Sequence, residues 1–370
     1  LSGIATFTSD ICDFVFADTA TTEVYTCAIN DQSEGYDYPS RVRFQLAEEN
    51  LDSYRRTADL LNFSRADVLC VQHEFGIYGG QAGSHLIALL KELRMPVVTT
   101  LHTILEQPDP AQRSVMAELI RRSDRLIVMA EKGRGILVDT YGAPKDKIDL
   151  IAHGIPDIPF ADSESYKTQF GVEGRKVLFT FGLLGPGKGI EYAIQALPAI
   201  IARHPGVVSL ILGATHPHLL ATDGESYRLG LERLAEEAGV REHVIFYNRF
   251  VSLEELKEFI GATDVYLTPY LNESQITSGT LAYVFGAGKA VVSTPYWHAQ
   301  ELLAHGRGAL VPFRDSRAIA DGVAAFLDSP DLLDRTRQDA HRIGRGMIWP
   351  ASASQYLDSF QTAVAGRNVD

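Results

Sequence analysis

The chain has 370 residues, of which 45% are hydrophobic, and it carries a formal net charge of −13. This length and apolar content exclude a disordered chain and predict two α/β domains, each with its own core. The negative charge argues against nucleic acid and anionic lipid as partners, so any phosphate site must be a local one.

The three cysteines, Cys12, Cys27 and Cys70, are odd in number and lack CxxC spacing. They fit a reducing compartment better than a disulfide framework, and we expect a cytoplasmic protein. We expect neither a signal peptide nor a transmembrane segment. The chain opens at Leu1 rather than at a methionine, and we expect a further strand to precede it in the full protein.

Strand and helix patterns alternate through the first half of the chain. Residues 3–6 are expected to form a glycine turn that opens a first helix, and residues 18–40 hold one candidate strand at 27–29. Further strands are predicted at 68–71, 97–101, 126–129 and 148–151, and helices at about 46–61, 84–93, 110–121 and 132–141. Such alternation predicts a parallel sheet with helices on both faces, whose ligands bind at the carboxyl ends of the strands.

Residues 153–159 contain two prolines and a glycine, so we place an interdomain linker there. The second half then repeats the same scheme. Its strands are predicted at 177–181, 209–212, 244–247, 265–267, 290–293 and 310–311, and its helices at 190–203, 225–238, 253–260, 278–285, 299–304 and from 317 onward, with a last helix at 349–360. The predicted domains are residues 1–157, residues 158–348 and a C-terminal helix within 349–370.

The loop after the strand at 177–181 has the composition of an anion site. Gly182, Gly185, Gly187 and Gly189 surround Lys188 just before a predicted helix. Helix N-terminal amides carry partial positive charge, glycines let a phosphate approach them, and the lysine adds a full charge. The loop is neither a Walker loop nor a GxGxxG fingerprint, and the alternative is a tight connection with a solvated lysine.

A second candidate anion site precedes the helix at 278–285. Thr277 or Ser278 is expected to cap this helix, and bare amides near Gly279 are expected to face the ligand. Capping alone also explains these residues. However, both loops follow strands of one predicted sheet and could hold the same diphosphate, which favours the functional interpretation.

Two strand ends in the first half supply further candidates. His73 and Glu74 lack the second histidine of a zinc protease, and they serve equally well to bind a polyhydroxyl ligand or to anchor their loop. His102 follows the strand at 97–101, where ligands of a parallel sheet collect, although it could instead satisfy loop carbonyls. No GxSxG or Cys/His signature supports hydrolase chemistry.

Taken together, the chain resembles a family 4 glycosyltransferase over nearly its whole length. The resemblance lies in Gly3 to Phe7, 97–102, 151–155, 182–189 and 288–301. It implies an α/β GT-B fold, with two Rossmann-like, doubly wound parallel-sheet domains facing a cleft and a C-terminal helix that crosses back to the first domain. It also implies transfer of a sugar from a nucleotide-sugar to a carbohydrate or small-molecule acceptor, usually with retention, without a metal and with no cofactor besides the donor. The oligomeric state stays open.

The resemblance also implies roles for individual residues. His102 would contact the transferred sugar, and Lys188 would neutralise charge on the leaving phosphate. The donor and phosphate-binding residues would be Gly3, Gly185, Gly187, Arg249, Gln275, Thr277, Ser278, Gly279 and Tyr283. His73 and Glu74 are the candidates for binding the acceptor or the sugar.

The sequence departs from the usual family pattern at three positions. Leu183 replaces an arginine, and Gln275 and Tyr283 replace two glutamates. We expect Gln275 to hydrogen-bond sugar hydroxyls, Tyr283 to grip the ribose poorly, and Arg249 to replace the lost charge. These departures leave two alternatives: a sugar phosphorylase on the same fold, and a non-catalytic subunit that binds a glycan or a partner.

Overall fold

The computed structural model describes residues 3–17 and 23–367 and divides the chain into two compact units. The first unit comprises Leu1–Gly154 and Trp349–Asp370, and the second comprises Ile155–Ile348. The boundary between Gly154 and Ile155 lies inside the predicted linker at 153–159. Part of the segment that the sequence left unassigned, residues 18–22, lies outside the described residues.

The first unit consists of alternating helices and strands. In chain order they are α1 (Gly3–Ala17), β1 (Thr26–Asn30), β2 (Val42–Ala47), α2 (Leu51–Phe63), β3 (Leu69–His73), α3 (His85–Glu92), β4 (Val97–Leu101), α4 (Pro110–Arg122), β5 (Arg125–Val128), α5 (Glu131–Tyr141) and β6 (Ile148–Leu150). Strands β3, β4, β5 and β6 form a parallel sheet in this order, and β1 pairs with β2 in a separate parallel ladder. This order brings the residues that follow β3 and β4 to one edge of the sheet.

Two parts of the first unit differ from the sequence prediction. The helix expected from about Leu46 begins later than predicted. Residues up to Ala47 form strand β2, in which Val42, Phe44 and Leu46 are less exposed than the residues between them. The helix begins only after Asn50, whose side chain caps it. The glycine turn expected at residues 3–6 is also wrong, since Gly3 is already the first residue of α1.

The second unit contains a longer parallel sheet. Its elements are α6 (Glu164–Lys167), β7 (Lys176–Phe181), α7 (Ile190–Arg203), β8 (Val207–Leu212), α8 (Pro217–Asp223), α9 (Ser226–Glu237), β9 (Val244–Tyr247), α10 (Leu253–Ala262), β10 (Val265–Thr268), α11 (Gly279–Gly286), β11 (Ala290–Ser293), α12 (Trp297–Leu302), β12 (Ala309–Leu310), α13 (Ser316–Asp328) and α14 (Pro330–Gly344). Every residue of β8, β10 and β11 is buried, as expected for strands covered by helices on both faces.

The strand order of this sheet defines where a ligand can bind. The order is β12-β11-β10-β7-β8-β9, so the chain moves from β7 outward to β9 and then crosses back to β10 on the other side of β7. Strands β7 and β10 therefore flank a topological switch point, and the crevice at their carboxyl ends is where doubly wound sheets bind ligands.

The last helix, α15 (Trp349–Arg367), belongs to the first unit. Trp349 and Tyr356 are buried together with Phe7 and Ile11 of α1. A side chain at Gly154 would collide with the Trp349 ring, because an added Cβ would lie 2.0 Å from it. Along the described part of the chain, no helix combines the length and apolarity needed to cross a bilayer.

Candidate functional site

The glycine loop after β7 packs against the segment that follows β10. Gly189 has φ +63, and a Cβ there would lie 2.1 Å from the carbonyl oxygen of Pro269, so only glycine fits. The amide of Leu271 donates to the Gly187 carbonyl oxygen at 3.0 Å. The two loops at the switch point are therefore in direct contact.

Lys188 is held over an aromatic ring rather than directed into bulk solvent. It ends a short 3₁₀ turn, and its Nζ lies 4.0 Å from the ring centroid of Tyr270. Tyr270 is buried and stacks on Tyr296, with 5.2 Å between ring centroids. A cation over a tyrosine face is electrostatically favourable, so the ring fixes where the ammonium lies.

The same tyrosine connects Lys188 to the beginning of α11. Its hydroxyl lies 2.9 Å from Thr280 Oγ1, which lies 3.2 Å from Ser278 Oγ. Ser278 caps α11 by accepting a hydrogen bond from the Leu281 amide at 3.3 Å, and the capping role predicted for Ser278 or Thr277 is thus confirmed for Ser278. Lys188 and the positive end of α11 share one supporting side chain.

The second predicted anion site has fewer amides available to an anion than expected. The amide of Ser278 donates to Nδ1 of the buried His298 at 2.8 Å, so it is not bare. The amides of Gly279 and Thr280 occupy the first two helical positions, where α-helix geometry provides no acceptor within the helix. These two amides are the groups through which α11 can bind an anion.

Gln275 is occupied within its own loop. Its side-chain amide nitrogen donates to the backbone carbonyl oxygen of Thr277. Its backbone carbonyl oxygen accepts from the His298 amide at 3.1 Å. The side-chain nitrogen of Gln275 thus closes a local turn, and contact of this residue with sugar hydroxyls stays a prediction. Tyr283 lies half-buried further along α11, and Leu183 lies half-buried in the glycine loop.

Arg249 does not supply an uncompensated charge. It is exposed and forms an ion pair with Glu255, whose carboxylate raises the pKa of the guanidinium. The partner carboxylate offsets the charge that was expected to replace the missing arginine.

The predicted glycines Gly185 and Gly3 have no positive φ, and an added Cβ at Gly3 would meet nothing within 4 Å.

In the first unit, His102 lies half-buried directly after β4. Its Nε2 is 2.8 Å from Oε1 of Gln72, its amide donates to the His73 carbonyl oxygen at 3.0 Å, and the Phe7 ring meets it edge-on at 5.0 Å. Burial lowers the pKa of His102 to about 3, and the imidazole is neutral near pH 7.

His73 and Glu74 face different surroundings although they are neighbours in the chain. His73 is fully buried between Phe75 and Tyr78, and neither ring nitrogen has a hydrogen-bond partner within residues 3–17 and 23–367. Glu74 accepts from the Phe75 amide at 2.9 Å and from the Thr103 hydroxyl. These bonds anchor the loop through Glu74, as one of the two predicted alternatives has it, while His73 points inward from its strand.

Three residues of these sites were missed by sequence reasoning: Gln72, Tyr270 and His298. Gln72 and Tyr270 lie at or just beyond the carboxyl ends of β3 and β10, and that position was the signal available. His298 gains importance only through its contact with the Ser278 amide, 20 residues away in the chain.

Two family models match the chain. The model "Glycosyl transferases group 1" matches residues 162–343, and the model "Glycosyltransferase Family 4" matches residues 2–157. Together they account for most of both units, and the chain belongs to the GT-B glycosyltransferases of the family 4 type. Both the predicted family and the predicted GT-B fold are confirmed, and the chain is by class a sugar-transferring enzyme.

Individual relatives are more distant. A D-inositol 3-phosphate glycosyltransferase from Corynebacterium glutamicum is 27% identical over 85% of this chain and 78% of its own length. One of the same name from Acidothermus cellulolyticus is 28% identical over 74% of this chain, which spans only 64% of that relative.

Solved structures show the same fold at low identity. Anabaena HepE in complex with UDP has a TM-score of 0.77 at 16% identity, covering 98% of this chain and 96% of the other. Sucrose-phosphate synthase from Thermosynechococcus elongatus has the same TM-score and identity, covering 99% and 94%.

Proposed function

We propose that the protein transfers a sugar from a nucleotide-sugar to a hydroxyl of a carbohydrate or small-molecule acceptor, and that the donor diphosphate binds in the second unit. The observation that carries this proposal is the contact of Lys188 with Tyr270, whose hydroxyl reaches Thr280 in the first turn of α11. An ammonium and a helix N-terminus at one switch point form a suitable site for a diphosphate. The Anabaena neighbour with bound UDP supports a nucleotide diphosphate as the leaving group.

The chemistry follows from where charge develops during transfer. The bond between the anomeric carbon and the phosphate oxygen breaks, and negative charge collects on the departing diphosphate. Lys188 and the amides of Gly279 and Thr280 stabilise that charge, because they are held in place before the reaction begins. The acceptor hydroxyl bonds to the anomeric carbon and passes its proton to an oxygen of the departing diphosphate, which carries the developing negative charge.

We further propose that His102 contacts the transferred sugar. Its neutral ring orients hydroxyl groups by hydrogen bonding without adding a positive charge beside an oxocarbenium-like carbon. With Nε2 donating to Gln72, the other nitrogen, Nδ1, is left as an acceptor for a sugar hydroxyl.

The direct test is isothermal titration with UDP, GDP and ADP. The wild type is expected to bind one of them. Lys188→Ala is expected to raise the activation free energy by about 2–4 kcal/mol, which lowers kcat/KM roughly 30- to 1000-fold. Lys257→Ala is the matched control, since Lys257 lies on α10 paired with Glu254. The proposal would be overturned if the wild type bound none of these nucleotides, or if Lys188→Ala had the same kcat/KM as the wild type.

Transfer with retention and without a metal is also part of this proposal. The anomeric proton coupling of the product, measured by NMR, reports the stereochemistry, and activity in excess EDTA reports the metal requirement. The matched relatives are named as transferases or synthases, which does not favour the phosphorylase or the non-catalytic subunit. Release of a sugar 1-phosphate from an oligosaccharide in phosphate buffer would favour the phosphorylase.

A further inference from the structure

A chain of hydrogen bonds runs through the first unit from α15 to His102. The Tyr356 hydroxyl lies 2.9 Å from Thr100 Oγ1, the Gln72 side-chain amide donates to Thr100 Oγ1 at 3.5 Å, and Gln72 Oε1 lies 2.8 Å from His102 Nε2. Tyr356 and Thr100 are almost completely buried. The chain therefore links the C-terminal helix to the proposed sugar-contacting residue through one buried bond and two partly buried ones.

The two ends of the Gln72 side-chain amide face different neighbours. Its nitrogen is also 3.3 Å from Cys70 Sγ, so both groups beside it, a hydroxyl and a sulfur, can act as acceptors. In this orientation the amide oxygen faces His102, where it accepts from a protonated Nε2. One tautomer of the imidazole fits this arrangement, and the Phe7 ring beside His102 restricts its rotation.

We propose that Gln72 is a positioning residue, which fixes the tautomer and orientation of His102, and that α15 takes part through Tyr356 and Thr100. This inference rests on the proposed function only for its effect on catalysis. Its structural content, a single Nε2–H tautomer at His102, can be measured without substrate.

The primary test uses NMR of protein labelled with ¹⁵N-histidine, in which the His102 signals are assigned by their loss in His102→Ala. The wild type is expected to show the Nε2–H tautomer alone. In Gln72→Met, which keeps the length of the side chain but removes the acceptor, we expect mixed tautomers and a kcat lowered about 10- to 100-fold with little change in KM, as for other partners that orient a functional histidine.

Two further variants separate positioning from simple packing. Gln72→Glu retains an acceptor, so the Nε2–H tautomer is expected to return, and the added carboxylate is expected to move the His102 titration to higher pH. Tyr356→Phe is expected to broaden the His102 signals and lower kcat about threefold. The control is Tyr54→Phe, a buried tyrosine whose hydroxyl accepts from the Gly79 amide at 3.1 Å, outside this chain of bonds.

The outcomes distinguish this inference from the proposed function. Identical His102 spectra in wild type and Gln72→Met overturn the positioning role, whatever the activity. Changed spectra with unaltered turnover in both Gln72→Met and His102→Ala support the positioning of the ring but overturn its catalytic use. Changed spectra with reduced kcat support both.

Discussion

The aromatic ring of Tyr270 lies under the ammonium of Lys188, at 4.0 Å from Nζ to the ring centroid, while its hydroxyl lies 2.9 Å from Thr280 Oγ1. A single buried side chain thus supports both positive elements of the proposed phosphate site. Its ring and its hydroxyl serve different partners, and they can be removed one at a time.

We predict that Tyr270→Leu weakens binding of the nucleotide diphosphate more than Tyr270→Phe does. Phenylalanine keeps the aromatic face for Lys188 and loses the hydroxyl that contacts Thr280, whereas leucine loses both. A cation over an aromatic face contributes about 0.5–2 kcal/mol, so we expect the Kd from titration calorimetry to rise about 2- to 30-fold from Phe to Leu. Equal Kd values for the two variants would show that the ring does not position the lysine.

A second prediction concerns the cap of α11. Ser278→Ala is expected to lower the free energy of unfolding by about 1 kcal/mol, as loss of an N-cap usually does, and also to weaken nucleotide binding. Ser329→Ala is the matched control, because Ser329 caps α14 by accepting from the Leu332 amide at 3.3 Å. It should cost similar stability in urea denaturation without changing the Kd. A Kd that rises equally in both variants would assign the effect to general destabilisation.

Much of the fold could be predicted because its strands are short apolar runs between clear turn signals. Strands β4, β9 and β11 and helix α7 lie where the sequence predicted them. Strand β2 was missed because its alternating pattern runs into the next helix, although Asn50, a good N-cap, marks where that helix begins. Pairing with β1, which no local pattern encodes, decides this segment.

The sites were less predictable than the fold. Sequence identified Lys188 and the cap at Ser278, because glycine loops and caps are local signals. It could not show that Tyr270 joins them, since that contact depends on β10 lying beside β7 in the sheet. It also could not decide whether His73 faces the core, because a shift of one residue in a strand reverses the side chain.

The inward orientation of His73 leads to a third prediction. Burial lowers the pKa of His73 to about 3, whereas in the unfolded chain it is about 6.5. Between these values the unfolded chain binds a proton that the folded protein does not, so stability is lost as the pH falls from about 6.5 toward 3.

We therefore expect His73→Leu to gain stability relative to wild type as the pH is lowered, by about 2 kcal/mol at pH 5, measured by urea denaturation at pH 7 and pH 5. Turnover at pH 7 should change less than about twofold, since a fully buried side chain makes no contact with a sugar. A large loss of kcat/KM in a variant of normal stability would restore His73 as a substrate-binding residue.

The last prediction concerns Lys289, a buried lysine between α11 and β11 whose Nζ donates to the Gly261 carbonyl oxygen at 2.7 Å. Burial, helped by the nearby charge of Arg337, lowers the pKa of Lys289 to about 7 from its ordinary value of 10.5. Between these values the unfolded chain binds a proton that the folded protein lacks, so raising the pH from about 7 toward 10 disfavours unfolding.

Wild type should therefore gain stability relative to Lys289→Met as the pH rises, by about 2 kcal/mol between pH 7 and pH 9, because Lys289 is already half deprotonated in the folded protein at pH 7. The absolute difference at pH 7 also contains the lost hydrogen bond to Gly261, so the change with pH is the quantity to compare. Lys257→Met, which removes a lysine of an exposed ion pair, should leave the pH dependence of the urea midpoint unchanged. Parallel curves for wild type and Lys289→Met would mean that Lys289 stays charged in the folded protein throughout this range.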